Sequence, residues 1–142
     1  VQLMREAGNK ENLAETLAVM GKVAYARKDF TNARAYLRES LELGKELDDK
    51  PGIITALEGF ASLALAEEHS EKAVWLWGSA AKAREGMNIL LPLSIKERYE
   101  RGVTEARAKL GEAAFKTAWT KCGMMGLEQA ITLALEEASK NS

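Results

Sequence analysis

The chain matches itself when slid by 40 residues, and a self-match at that period points to stacked copies of one supersecondary unit. Leu13, Leu17, Met20, Gly21 and Ala24 fall on Ile53, Leu57, Phe60, Ala61 and Ala64, at spacings that keep one helix face apolar. Ala33, Tyr36, Leu37 and Ser40 then fall on Ala73, Leu76, Trp77 and Ala80, a second helical stripe. Identities are few (Leu17/Leu57, Ala24/Ala64, Ala26/Ala66, Ala33/Ala73), so size and polarity carry the period.

Each copy reads as a helix pair, the first over 10–48 and the second over 50–86. Asp29 and Ser70 stand where side-chain oxygens would cap the second helix of each pair. Asp48 and Asp49 mark the turn between pairs, and Pro51 suits a first helical position because its missing N–H costs nothing there. The same shift lays Leu3 on Leu43 and Lys10 on Lys50, so residues 1–9 read as the end of a truncated repeat. The expectation is a piece of a longer protein whose uncovered N-terminal end promotes self-association.

The period stops after Gly86. Met87 to Leu93 reads as an apolar connector, and Ser94-Ile95-Lys96-Glu97 as a capping box opening a helix at Ile95. Tyr99, Val103, Ala106 and Leu110 continue its apolar face, and Gly111 stops it. A shorter helix with Phe115, Ala118, Trp119 and Cys122 inward follows, then a break at Gly123–Gly126 and a last helix through Leu127, Ile131, Ala134, Leu135 and Ala138. Residues 94–140 are thus expected to form a helical cap. With only two prolines and abundant Ala, Leu, Glu, Lys and Arg, the 142 residues form one all-α domain in this reading.

The motif Leu17-x2-Met20-Gly21-x2-Ala24, then Ala33-x3-Leu37, resembles the tetratricopeptide repeat, as does its copy Leu57-x2-Phe60-Ala61-x2-Ala64, then Ala73-x3-Trp77. The resemblance implies a right-handed α-α superhelix. The long repeat, the segment Ala73 to Glu85, and Leu110 to Phe115 with Leu127 to Ile131 are similar to the C-terminal end of bacterial signal-transduction ATPases and LuxR-type transcriptional regulators. That likeness implies a sensor or docking arm that binds a protein segment or inducer along the groove of the first helices. Its groove positions fall on Glu15, Lys22 and Tyr25 in the first repeat and Glu58 and Ser62 in the second. The partner implied is an upstream module of the same polypeptide or a peptide segment.

Trp77 and Trp119 are expected in the core, whereas Trp75, on another side of its helix, is a candidate contact residue. His69 beside Glu67, Glu68 and Glu71 invites a metal or acid–base reading, but a lone turn histidine is more often solvated. Cys122 has the apolar phase of a buried thiol and cannot form an internal disulfide, which fits a cytoplasmic setting. No phosphate-binding, zinc-helix or nucleophile-elbow motif occurs, so no catalytic residue, metal or cofactor is assigned and an enzyme is not expected.

Twenty basic against 21 acidic residues give no strong positive field, and the sequence carries no long apolar span, so direct nucleic-acid and membrane partners are not expected. One stretch runs the other way: residues 96–121 hold seven basic and four acidic residues around a helix–Gly–helix pattern. A DNA-contacting helical domain is therefore one alternative, and a structural spacer or standalone adaptor without its own ligand is another.

Overall fold

The computed structural model describes residues 9–87 and 93–140, and every regular element among the described residues is an α-helix. In chain order these are α1 (Asn9–Ala26), α2 (Phe30–Leu47), α3 (Lys50–Ala66), α4 (Ser70–Gly86), α5 (Leu93–Leu110), α6 (Glu112–Gly123) and α7 (Leu127–Lys140). The fold is all-α. Residues 1–8 and the side chains of Ser94, Ile95 and Ala138 lie outside the described residues, as do the truncated-repeat and capping-box readings that depend on them.

The 40-residue period reappears in the backbone of the turns. Asp29 N–H donates to the Ala24 carbonyl at 2.9 Å, and His69 N–H donates to the Ala64 carbonyl at 2.7 Å. Lys28 N–H donates to Tyr25 at 2.9 Å and Glu68 N–H to Leu65 at 3.1 Å. Lys28 (φ 62°) and Glu68 (φ 68°) both adopt the left-handed conformation that closes a helix C-terminus. Two hairpins, α1–α2 and α3–α4, thus turn by one mechanism, one period apart.

Caps explain where the helices begin. The Asp29 carboxylate accepts from Asn32 N–H at 3.3 Å, as expected for the start of α2. Asp49 does the same for α3, accepting from Gly52 N–H at 3.2 Å. A Cβ on Gly52 would lie 2.4 Å from the Asp49 carboxylate, so a larger residue there would push the capping carboxylate out of place. The start of α4 corrects the sequence reading by one residue: its N-cap is His69, which makes no side-chain cap bond, and Ser70 is the first helical residue. The period itself carries Asp29 onto position 69.

The core runs through both hairpins into the last three helices. Leu41, Ile54, Leu57, Leu63, Val74, Leu76 and Ile131 are among its fully buried side chains, each contributing about 1.5–3 kcal/mol by leaving water. Leu37 of α2 lies against Gly21 of α1, where a Cβ would meet it at 3.0 Å, and against Gly59 of α3, where a Cβ would meet it at 2.7 Å. Two small residues thereby let one leucine join three helices. Its periodic counterpart Trp77 is buried as expected and lies against Gly102 of α5, whose Cβ would sit 2.5 Å from the ring.

Past the hairpins, α5 packs beside α3 and α4, α6 packs on α4, and α7 folds back onto α2, α3 and α4. Cys122 is buried, as the apolar phase predicts, because Gly78 leaves room for its sulfur. Trp119 departs from its expected core position: it is 38% exposed and stacks on Phe115 at 5.7 Å. The ring packs against its own helix neighbour Phe115, one turn earlier on α6, and stays partly open to solvent.

Candidate functional site

Tyr25 at the end of α1 and Ser62 and Leu65 on α3 face the α5 helix across an open cavity of about 850 Å³. The far wall consists of α5 residues spaced so that they share one helix face: Arg98, Arg101, Gly102, Glu105 and Ala108, with Glu97, Glu100 and Thr104 at its margins. Trp77 closes the floor, and it can lie under α5 because Gly102 has no side chain. Tyr25 is held by Phe30, ring centroids 5.7 Å apart. Burial, with a smaller push from Glu105, raises the Tyr25 phenol above its ordinary value, against an opposing pull from Arg98. The hydroxyl therefore stays protonated at neutral pH and offers both a donor and an acceptor.

The six residues singled out from sequence separate in three dimensions. Tyr25 and Ser62 share the cavity. Glu15 and Lys22 are exposed on α1 and do not line it. Glu58, one turn before Ser62 on α3, accepts a hydrogen bond from Arg84 of α4 at 2.8 Å, so its carboxylate serves the fold. Trp75 lies on the opposite side, where the Lys121 ammonium sits 4.2 Å from its ring centroid and α7 builds a second, smaller cavity with Met125, Gln129 and Leu133.

Sequence reasoning missed the α5 wall. Arg98, Arg101 and Glu105 lie beyond the last periodic residue, and only the tertiary path of α5 brings them opposite the hairpins. The available signal was Gly102, a glycine in the middle of a helix, where it weakens the helix unless something must approach closely.

The acidic turn around His69 is occupied by ion pairs. Glu67 bonds Arg34 of α2, and Glu68 lies 3.6 Å from Lys109 of α5. Among the described residues no group of three or more His, Cys, Asp or Glu side chains could hold a metal ion, and no helix is long and apolar enough to cross a membrane.

Comparison with known proteins places the chain beside regulators. It is 28% identical over 129 residues, 91% of its own length, to a protein named HTH-type transcriptional regulator in Mycobacterium bovis and to its counterparts in two strains of Mycobacterium tuberculosis. The chain spans about 15% of the length of these curated relatives. No family model and no solved structure matches it. The expectation of no direct nucleic-acid partner is corrected by these relatives: they are named for the helix-turn-helix, a motif whose second helix enters the DNA major groove. The charge balance of a stretch that spans about 15% of these relatives does not report on what the rest of such a protein contacts.

Proposed function

We propose that this chain is a helical segment of a transcriptional regulator, a polypeptide whose action is on DNA, and that the cavity between α1, α3 and α5 seats a protein segment that sets the regulator's state. The similarity to HTH-type transcriptional regulators supports the first part. The second rests on one observation: the cavity interleaves Arg98 and Arg101 with Glu97, Glu100 and Glu105 around the Tyr25 ring. Mixed charges beside an aromatic side chain suit a polypeptide, which carries both signs and apolar side chains. A tetratricopeptide-type stack of helix pairs agrees with the recurring turns. Binding at a wall shared by both hairpins and α5 would favour one packing of α5 over another, and such a difference in affinity between two states is what a switch requires.

The test is Arg98→Glu with Arg101→Glu in the full-length regulator. Altered transcriptional output with a melting temperature within a few degrees of the parent supports the cavity as the seat. Unchanged output refutes it.

A second reading is favoured by the α5–α6 pair, joined through Gly111 at φ 87° and carrying Lys109 and Lys116, within a seven-to-four excess of basic residues. In that reading the pair touches the phosphate backbone directly. Lys109→Ala with Lys116→Ala then lowers affinity for duplex DNA and reduces the salt slope by about one per lost contact. An unchanged slope assigns DNA contact to other parts of the regulator.

A further inference from the structure

The first hairpin presents a face that the second hairpin keeps buried. On α1, Val19 is 53%, Met20 39% and Val23 47% exposed. One period later, on α3, Phe60 is 3% and Leu63 2% exposed, and Gly59 stands where Val19 stands. α2 packs along α3 at three heights: Gly44 against Ile53, Leu37 against Gly59, and Arg34 bonded to Glu67. The periodic counterparts on α1 have no helix of the described residues in the position that α2 takes on α3.

We propose that the face of α1 bearing Val19, Met20 and Val23 is the seat of one further helix of the same polypeptide: the second helix of a preceding hairpin, one 40-residue step upstream of α2. Two independent observations select this occupant over a second copy or a foreign partner. The turns of the two hairpins repeat bond for bond at 40 residues, so the relation of α2 to α3 defines what belongs against α1. The curated relatives are also several times longer than this chain, so their architecture has room for more hairpins. Three neighbouring apolar side chains on one exposed face of α1 are costly in water, and a packed helix removes them from it. The incoming helix should carry a bulky apolar residue where α2 carries Leu37. Because Val19 replaces Gly59, that helix must stand farther from α1 than α2 stands from α3. This surface lies away from the α5 cavity, and the proposal does not depend on the function assigned there.

The experiment compares maleimide labelling of Val23→Cys in this chain alone and in the full-length protein, read residue by residue by mass spectrometry. Glu85→Cys on α4 serves as the exposed reference. The expected result is fast labelling at position 23 in the chain alone and at least about tenfold slower labelling in the full-length protein, with position 85 unchanged. Equal labelling at position 23 in both overturns the proposal. Protection in the chain alone that grows with its concentration overturns it in favour of a second copy, and a reading frame that begins at Val1 overturns it outright. Val23→Asp provides a check that does not depend on a thiol: it should lower the melting temperature of the full-length protein while leaving that of the chain alone within about 2 °C, since an exposed substitution costs little. An equal shift in the two counts against the seat.

Discussion

Glu58 of α3 and Arg84 of α4 meet at 2.8 Å with side chains only 15% and 11% exposed, an enclosed ion pair that joins the two helices of the second hairpin. The second carboxylate oxygen of Glu58 is buried without a hydrogen-bond partner. The pair therefore rests on one contact, and removing either side leaves a charge in a poorly solvating place. Arg84→Ala should destabilise the chain by about 3 kcal/mol. The double variant Glu58→Leu with Arg84→Met should recover most of that loss, because no charge is left behind. Urea unfolding of the three proteins decides it, and a double variant as unstable as Arg84→Ala would show that the pair contributes through its geometry and not its charge.

Much of the hairpin architecture was legible because it depends on local chemistry repeated at a fixed step. Asp29, Leu37 and Trp77 could be placed from spacing alone, since turn bonds and core stripes are set within a few residues of each other. The cavity was half legible. Tyr25 and Ser62 come from the resemblance to the tetratricopeptide groove, whereas Arg98 and Arg101 depend on where α5 goes after the period ends, a path at which Gly102 alone hints locally. Glu58 was misjudged for a related reason: a carboxylate on a helix surface looks alike in sequence whether it faces solvent or an arginine 26 positions further along.

Gly102 and Trp77 give a steric test of the α5 wall. Alanine would improve helix propensity by about 1 kcal/mol, yet its Cβ would fall 2.5 Å from a ring that is 3% exposed and has little room to retreat. Overpacking of this kind costs about 1–3 kcal/mol. Gly102→Ala should therefore lower stability, while Gly86→Ala, whose Cβ meets nothing within 4 Å, should not. Paired thermal melts compare them, and a stabilised Gly102→Ala would mean that α5 does not press on Trp77.

The two aspartate caps can be removed one at a time. Asp29→Ala and Asp49→Ala should each cost about 1 kcal/mol, since each deprives a helix of a side-chain acceptor for an orphan amide. Asp29 lies between α1 and α2 and Asp49 between the hairpins, so the double variant should lose close to the sum. Denaturant midpoints at matched slopes provide the measurement, and a loss well beyond the sum would reveal coupling between the turns.

Cys122 supplies a pH dependence with a defined sign. Burial raises its thiol above the ordinary value, against smaller opposing effects from a backbone hydrogen bond and Lys82. The folded protein therefore keeps the proton at a pH where the unfolded chain, with a thiol titrating near about 8.5, has begun to release it. Because the unfolded state then binds fewer protons, stability falls as pH rises above the unfolded value, and the loss is complete only above the folded one. Cys122→Ala removes this contribution, so the difference in unfolding free energy between parent and variant should shrink steadily from pH 8 to pH 9.5. The same burial slows the thiol: at pH 8, disulfide exchange with an aromatic disulfide reagent should run far slower in the native protein than in 6 M guanidinium. A native rate equal to the denatured one would place the sulfur in solvent, and with it would fall the close packing of α6 on Gly78 that keeps α4 and α6 together.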